Sequence, residues 1–161
     1  MPKLIIPKTY VPVKSPLIFL AGPIGSAPNW QDEAINHLFS LDSDLVIASP
    51  RRGIRESIAP YILTGNENFF HRQRAWERHY LDIASKTGAI MFWLPGEAEH
   101  KCEKVYGAMT RLELGQWMTD YRHNPEVRFC VGSDGKFPEL DTIKYDLLLD
   151  APDKEIKNSL E

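Results

Sequence analysis

The chain has 161 residues, 43% of them hydrophobic and 25% charged, with a formal net charge of −3. That length suits one ordinary domain with a buried core, and the composition excludes a disordered or fibrous chain. The small negative charge gives no general attraction to nucleic acid polymers or anionic membranes.

In chain order, residues 1–15 mix charges and prolines with short apolar runs, "MPKLIIPKTYVPVKS". They lack the long apolar core of a signal peptide and read as an N-terminal extension, with an edge strand as its one regular option. Four compact apolar runs follow: "LIFLAG" (17–22), "DLVIAS" (44–49), "AIMFWL" (89–94) and "VRFCVG" (127–132). Continuous runs of this length suit parallel strands covered on both faces. Three of them end in Gly or Pro turns, "AGPIG", "ASPRRG" and "WLPGE". Helical stretches are expected at 29–41, 68–86, 107–121 and near 138–148.

Strands alternating with helices predict a single α/β domain, a doubly wound, flavodoxin-like or Rossmann-like sheet that is mainly parallel. Residues 50–67 form the longest irregular stretch and are a candidate substrate-covering loop; residues 151–161 read as a solvated tail. No stretch approaches a membrane span. The two cysteines, Cys102 and Cys130, lie far apart without metal or disulfide spacing, which fits a reducing cytoplasm. The histidines are scattered, so neither a metal nor another cofactor is expected.

Two helices carry carboxylates toward their apolar sides. Wound at about 100° per residue, 106–121 gathers Tyr106, Leu114, Trp117, Met118 and Tyr121 on one arc. Thr110 and Glu113 fall on or beside that arc. On 68–85 the arc comprises Phe69, Phe70, Trp76, Tyr80, Leu81, Ile83 and Ala84, with Gln73 near its middle and Glu77 between Ala84 and Leu81. Each glutamate has an ordinary explanation as a border residue bridged to Arg74, Arg111 or a lysine. Two of them aimed at the carboxyl ends of parallel strands, where such sheets bind ligands, suit glycosyl transfer instead. There one carboxylate attacks the anomeric carbon while the other manages protons or orientation. A helix N-terminus near Glu113 would favour its ionised form.

The turn "AGPIGS" (21–26) is open to two readings, a phosphate cradle or a plain strand-to-helix connection, with Ser26 as either phosphate ligand or helix cap. Arg51 and Arg52 follow a strand end and contact base or phosphate, or else belong to a solvated loop. Phe92 and Trp93 read as sheet core, and Trp30 as either a packing residue or a wall of the pocket.

The segments "IFLAGPIG" followed by Trp30, "WE" at 76–77, "AIMFWLP" at 89–95 and "YGAMTRLELGQW" at 106–117 resemble the nucleoside 2-deoxyribosyltransferase family. The resemblance is to the branch with "FLAGP" and "TR-x-ELG-x-W" motifs, and it spans about 16–132. It implies that Glu113 is the nucleophile, forming a covalent sugar ester with retention of configuration. It further implies that Glu77 is the second acid, and that Ala21, Gly22, Pro23, Ile24, Arg51, Gln73 and Thr110 contact substrate. The implied partners are nucleosides and free nucleobases, with no nucleic acid polymer and no membrane, and a homo-oligomer is expected. The family's first-strand tyrosine aligns with Ile18, so Thr110 or a tyrosine from another segment is expected to hold Glu113. Two other readings stay open: a hydrolase of 2′-deoxynucleoside 5′-monophosphates, needing a phosphate cradle, and a non-catalytic nucleotide-binding module.

Overall fold

The computed structural model describes residues 3–51 and 69–160, with Phe69 and Phe70 described by their backbone only. The chain runs β1 (Lys3–Ile5), β2 (Leu17–Ala21), α1 (Trp30–Leu41), β3 (Val46–Ala48), α2 (Phe69–Thr87) and β4 (Ala89–Leu94), and continues through α3 (Ala108–His123), β5 (Phe129–Ser133), α4 (Leu140–Asp150) and β6 (Ile156–Lys157). The six strands form one sheet in the order β1-β3-β2-β4-β5-β6. Every pairing is parallel. The expected doubly wound α/β architecture is therefore the observed one.

Parallel neighbours need crossovers, and these are nearly always right-handed. From β2 the chain moves one way along the sheet to reach β3; from β3 onward it moves the other way, to β4, β5 and β6. With one handedness, that reversal puts α1 on one face and α2, α3 and α4 on the other. The core divides accordingly. Leu4, Leu20, Ile47 and Trp93 pack with Trp30, Ala34 and Ile35 of α1. On the other face Phe19, Ile90, Phe92 and Val131 meet Trp76 and Tyr80 of α2, Leu114 and Trp117 of α3, and Leu147 of α4. Strands buried on both faces explain why the runs are continuously apolar rather than alternating.

The extension at 1–15 supplies the edge strand β1, paired with β3 from Lys3 to Ile5. The rest of it is tied to α2, where the Trp76 indole donates to the Thr9 carbonyl and the Tyr80 hydroxyl accepts from the Val11 amide. The expectation of a wholly solvated tail at 151–161 is corrected at Ile156 and Lys157, which add the opposite edge strand beside β5. Those two residues are too few for the apolar pattern to reveal a strand. Ala151 and part of Leu160 are also covered by the core.

Candidate active site

The reversal of chain direction places a crevice between the carboxyl ends of β2 and β4, whose following connections leave toward opposite faces. A cavity of about 380 Å³ lies there, lined by the turn after β2, by Pro50 after β3, by α2 and by the start of α3. Typical small-molecule sites begin at roughly 300 Å³. Ala21, Gly22, Pro23, Ile24, Gln73, Glu77, Thr110 and Glu113 all line it, so eight of the nine residues singled out from the sequence meet in one place.

Gly22 is required by close approach. A Cβ there would lie 2.4 Å from the Trp93 carbonyl oxygen and 2.7 Å from the Trp30 ring. Trp30 is in turn fixed by its indole N–H, which donates to the Pro23 carbonyl at 3.0 Å; the Gln31 amide donates to the same oxygen at 3.2 Å. Trp30 is therefore a packing residue behind the turn. Phe92 and Trp93 are sheet core, as expected.

Arg51 is the ninth residue and sits behind the lining. Its guanidinium donates to Gln31 Oε1 at 2.8 Å and to the carbonyls of Ile24 and Pro28, both at 3.2 Å. It braces the 23–28 loop from behind, because two carbonyls of that loop and the Gln31 side chain of α1 converge on its planar fork. Arg52, and all of the candidate covering loop except Pro50 and Arg51, lie outside the described residues. Ser26 has a left-handed backbone (φ 65°), and its carbonyl accepts from Ala98 and Glu99 rather than capping α1 through its side chain.

On α3 the left-handed Gly107 (φ 65°) opens the helix under the Phe137 ring. Glu113 lies in the second turn and is only 7% exposed. It is thus beyond the free N–H groups of its own helix, which are confined to the first turn. The positive charge beside it comes instead from α2: Arg74 Nη1 donates to Glu113 Oε1 and, at 3.1 Å, to Glu77 Oε2. Gln73 Nε2 donates to the other Glu77 oxygen, also at 3.1 Å. Neither Thr110 nor a tyrosine holds the carboxylate among the contacts described. Tyr106 lines the cavity but donates its hydroxyl to the Pro95 and Gly96 carbonyls. Ile18 packs toward α1, so that strand position does not face Glu113; Phe19 does face the cavity.

Burial pushes the Glu113 carboxyl above its ordinary value and Glu77 adds to the push, while Arg74 opposes both. Burial disfavours the Arg74 cation, but Glu113 and Glu77 outweigh it, so Arg74 is held charged more firmly than usual. The ordinary explanation of each glutamate, a bridge to Arg74, is thus realised for both at once. A bridge alone would not require the three groups to line a cavity at the switch point of the sheet.

The sequence marks Arg74 only as a salt-bridge partner, and no pattern in it marks Lys104, Val105, Tyr106 or Met109 as lining residues. The spacing of Arg74 three residues before Glu77, on the side of α2 that meets α3, was the available signal. A larger cleft of about 1180 Å³ runs between α2 and α3 toward the amino ends of the strands. It shares Arg74 but neither glutamate, and it lies away from the ligand-binding end of the sheet. Among the described residues no cluster of His, Cys, Asp and Glu could hold a metal ion, and no helix is long and apolar enough to cross a membrane.

No protein-family model matches the chain, and no curated protein matches it either.

Proposed function

We propose that the protein transfers 2-deoxyribose between purine and pyrimidine bases by a retaining double displacement. The observation that carries this reading is the buried Glu113, charge-paired and lining a cavity of nucleoside size beside a second carboxylate. In the first step a Glu113 oxygen bonds to C1′ as the C1′–N bond breaks. The bonding pair leaves with the base, which takes up a proton from solvent. In the second step a nitrogen of the incoming base attacks C1′ from the vacated side, gives up its proton to solvent and expels the Glu113 carboxylate. Two inversions give retention. The Gly22–Pro23 turn and Phe19 offer an apolar wall for a flat base or the sugar, and no cofactor takes part.

Hydrolysis of a 2′-deoxynucleoside 5′-monophosphate is the second reading, favoured by Lys104, Gly25 and Ser26 on the same cavity. It uses the same first step, with water as the acceptor. Val105 and Met109, exposed beside the cavity, are consistent with a homo-oligomer that covers them.

Chromatography of 2′-deoxyinosine incubated with free adenine, alongside 2′-deoxyadenosine monophosphate alone, separates the readings. New 2′-deoxyadenosine with released hypoxanthine is the expected result. Adenine freed from the monophosphate without exchange in the mixture favours the hydrolase, and silence in both reactions overturns the glycosyl-transfer chemistry.

A further inference from the structure

We propose that Arg74 is a positioning residue for this transfer, held on Glu77 so that it orients ionised Glu113 for attack and keeps a counter-charge once Glu113 becomes an ester. The proposal rests on the transfer reading and adds to it a residue and a changed role for Glu77.

The geometry is a clamp. One guanidinium nitrogen of Arg74 reaches an oxygen of Glu113 on α3 and, within its own helix, an oxygen of Glu77. Glu77 is itself fixed by Gln73, so both of its oxygens accept from donors. That assigns Glu77 to holding Arg74 rather than to protonating the leaving base.

The charges then follow the reaction. Before attack the trio carries two negative charges and one positive. Esterification removes the charge of Glu113, because its oxygen now shares its electron pair with C1′, and the pair from the broken glycosidic bond departs with the base. Without Glu77, the partly buried Arg74 would be stranded as an uncompensated cation, which is costly. With Glu77 the covalent intermediate retains a neutral pair, and Glu113 recovers its partner when the second base expels it.

Among the described residues, few titratable groups face Glu113. Arg74 and Glu77 come from α2, while Lys104 and Tyr106 line the cavity ahead of α3; Phe19 and Ala21 of β2 bring no charge. Arg111, on α3 itself, turns away to the Tyr106 and Pro138 carbonyls. Among the described residues Arg74 is thus the cation in direct contact, in line with the downward pull it exerts on Glu113 against burial.

The test is a titration of the Glu113 side-chain carbon by ¹³C NMR, in wild-type protein and Arg74→Met, with Glu113→Gln assigning the signal. Arg74→Met should titrate at higher pH than wild type, and the acid limb of base exchange should move with it. At neutral pH kcat should fall by about a hundredfold with KM little changed, the scale of a lost orienting contact. Arg74→Lys, which restores a point charge without the fork, should recover part of both effects. Glu77→Gln should slow release of the first base more than it weakens substrate binding. Coincident titrations in wild type and Arg74→Met, or an Arg74→Lys variant no better than Met in a folded protein, overturn the proposal. A wild-type protein that titrates as expected yet transfers no sugar overturns the transfer reading, and with it the catalytic relevance of the clamp, while the ion pair itself stands.

Discussion

Gly22 joins β2 to the cavity at a point where there is no room for a side chain. In Gly22→Ala the new methyl would meet the Trp93 carbonyl oxygen at 2.4 Å and the Trp30 ring at 2.7 Å, where ordinary contact begins at 3.4 Å. Neither neighbour yields easily. The carbonyl belongs to β4, a central strand paired on both sides, and the ring is tethered by its N–H to Pro23. Relief therefore requires the turn itself to move by about 1 Å. Overpacking of this kind costs about 1–3 kcal/mol, and the rigid partners put this case near 3 kcal/mol. The same displacement moves Pro23 and Ile24 relative to Glu113, and a shift of that size can lower turnover by about a hundredfold. Urea unfolding followed by tryptophan fluorescence measures the first effect, and steady-state base exchange the second. Stability within about 0.5 kcal/mol of wild type, with unchanged kinetics, would refute the steric reasoning.

Two further outcomes are expected. Arg51→Met removes the donors that brace Ile24, Pro28 and Gln31, so unfolding stability should drop by about 2 kcal/mol and KM should rise more than kcat falls. An unchanged KM would show that the bracing does not reach the cavity. Glu113 contributes a pH dependence of definite sign, because its folded carboxyl titrates above the ordinary value of 4.5. Between that value and the raised one, the native state holds a proton that the unfolded chain has released. Stability is therefore lost as pH rises through that window. Glu113→Gln lacks this loss and should gain on wild type in urea melts as pH goes from acid to neutral, whereas a constant gap would contradict the assignment.

Most of the fold was legible because buried parallel strands leave an unambiguous mark. "LIFLA", "AIMFWL" and the core of "DLVIAS" each became a strand within a residue or two of the expected limits. The two edge strands were not equally legible. β1 is three residues between prolines and β6 is two, and strands that short carry no periodicity. The helical wheels of α2 and α3 placed Trp76, Tyr80, Trp117 and Met118 in the core and brought Glu77 and Glu113 to one cavity. What they did not settle was which of Arg74, Arg111 or a lysine pairs with Glu113. A wheel fixes the side of a helix a residue occupies but not the reach of a long arginine on the neighbouring helix. Arg74, near the border of its own apolar arc, was therefore indistinguishable from a surface salt bridge. Arg51 shows what position alone leaves open: it follows a strand end, and its guanidinium is tied to acceptors of the 23–31 segment that the sequence pattern does not reveal.

The most direct test of the account is to trap the sugar on the protein. Acid quenching during turnover of a 2′-deoxynucleoside, followed by proteolysis and peptide mass spectrometry, should reveal a 2-deoxyribosyl adduct on the peptide carrying Glu113. The adduct should vanish on addition of excess free base, and Glu113→Gln should show none. An adduct on another residue, or steady base exchange without any adduct in the trapped protein, would contradict Glu113 as the nucleophile.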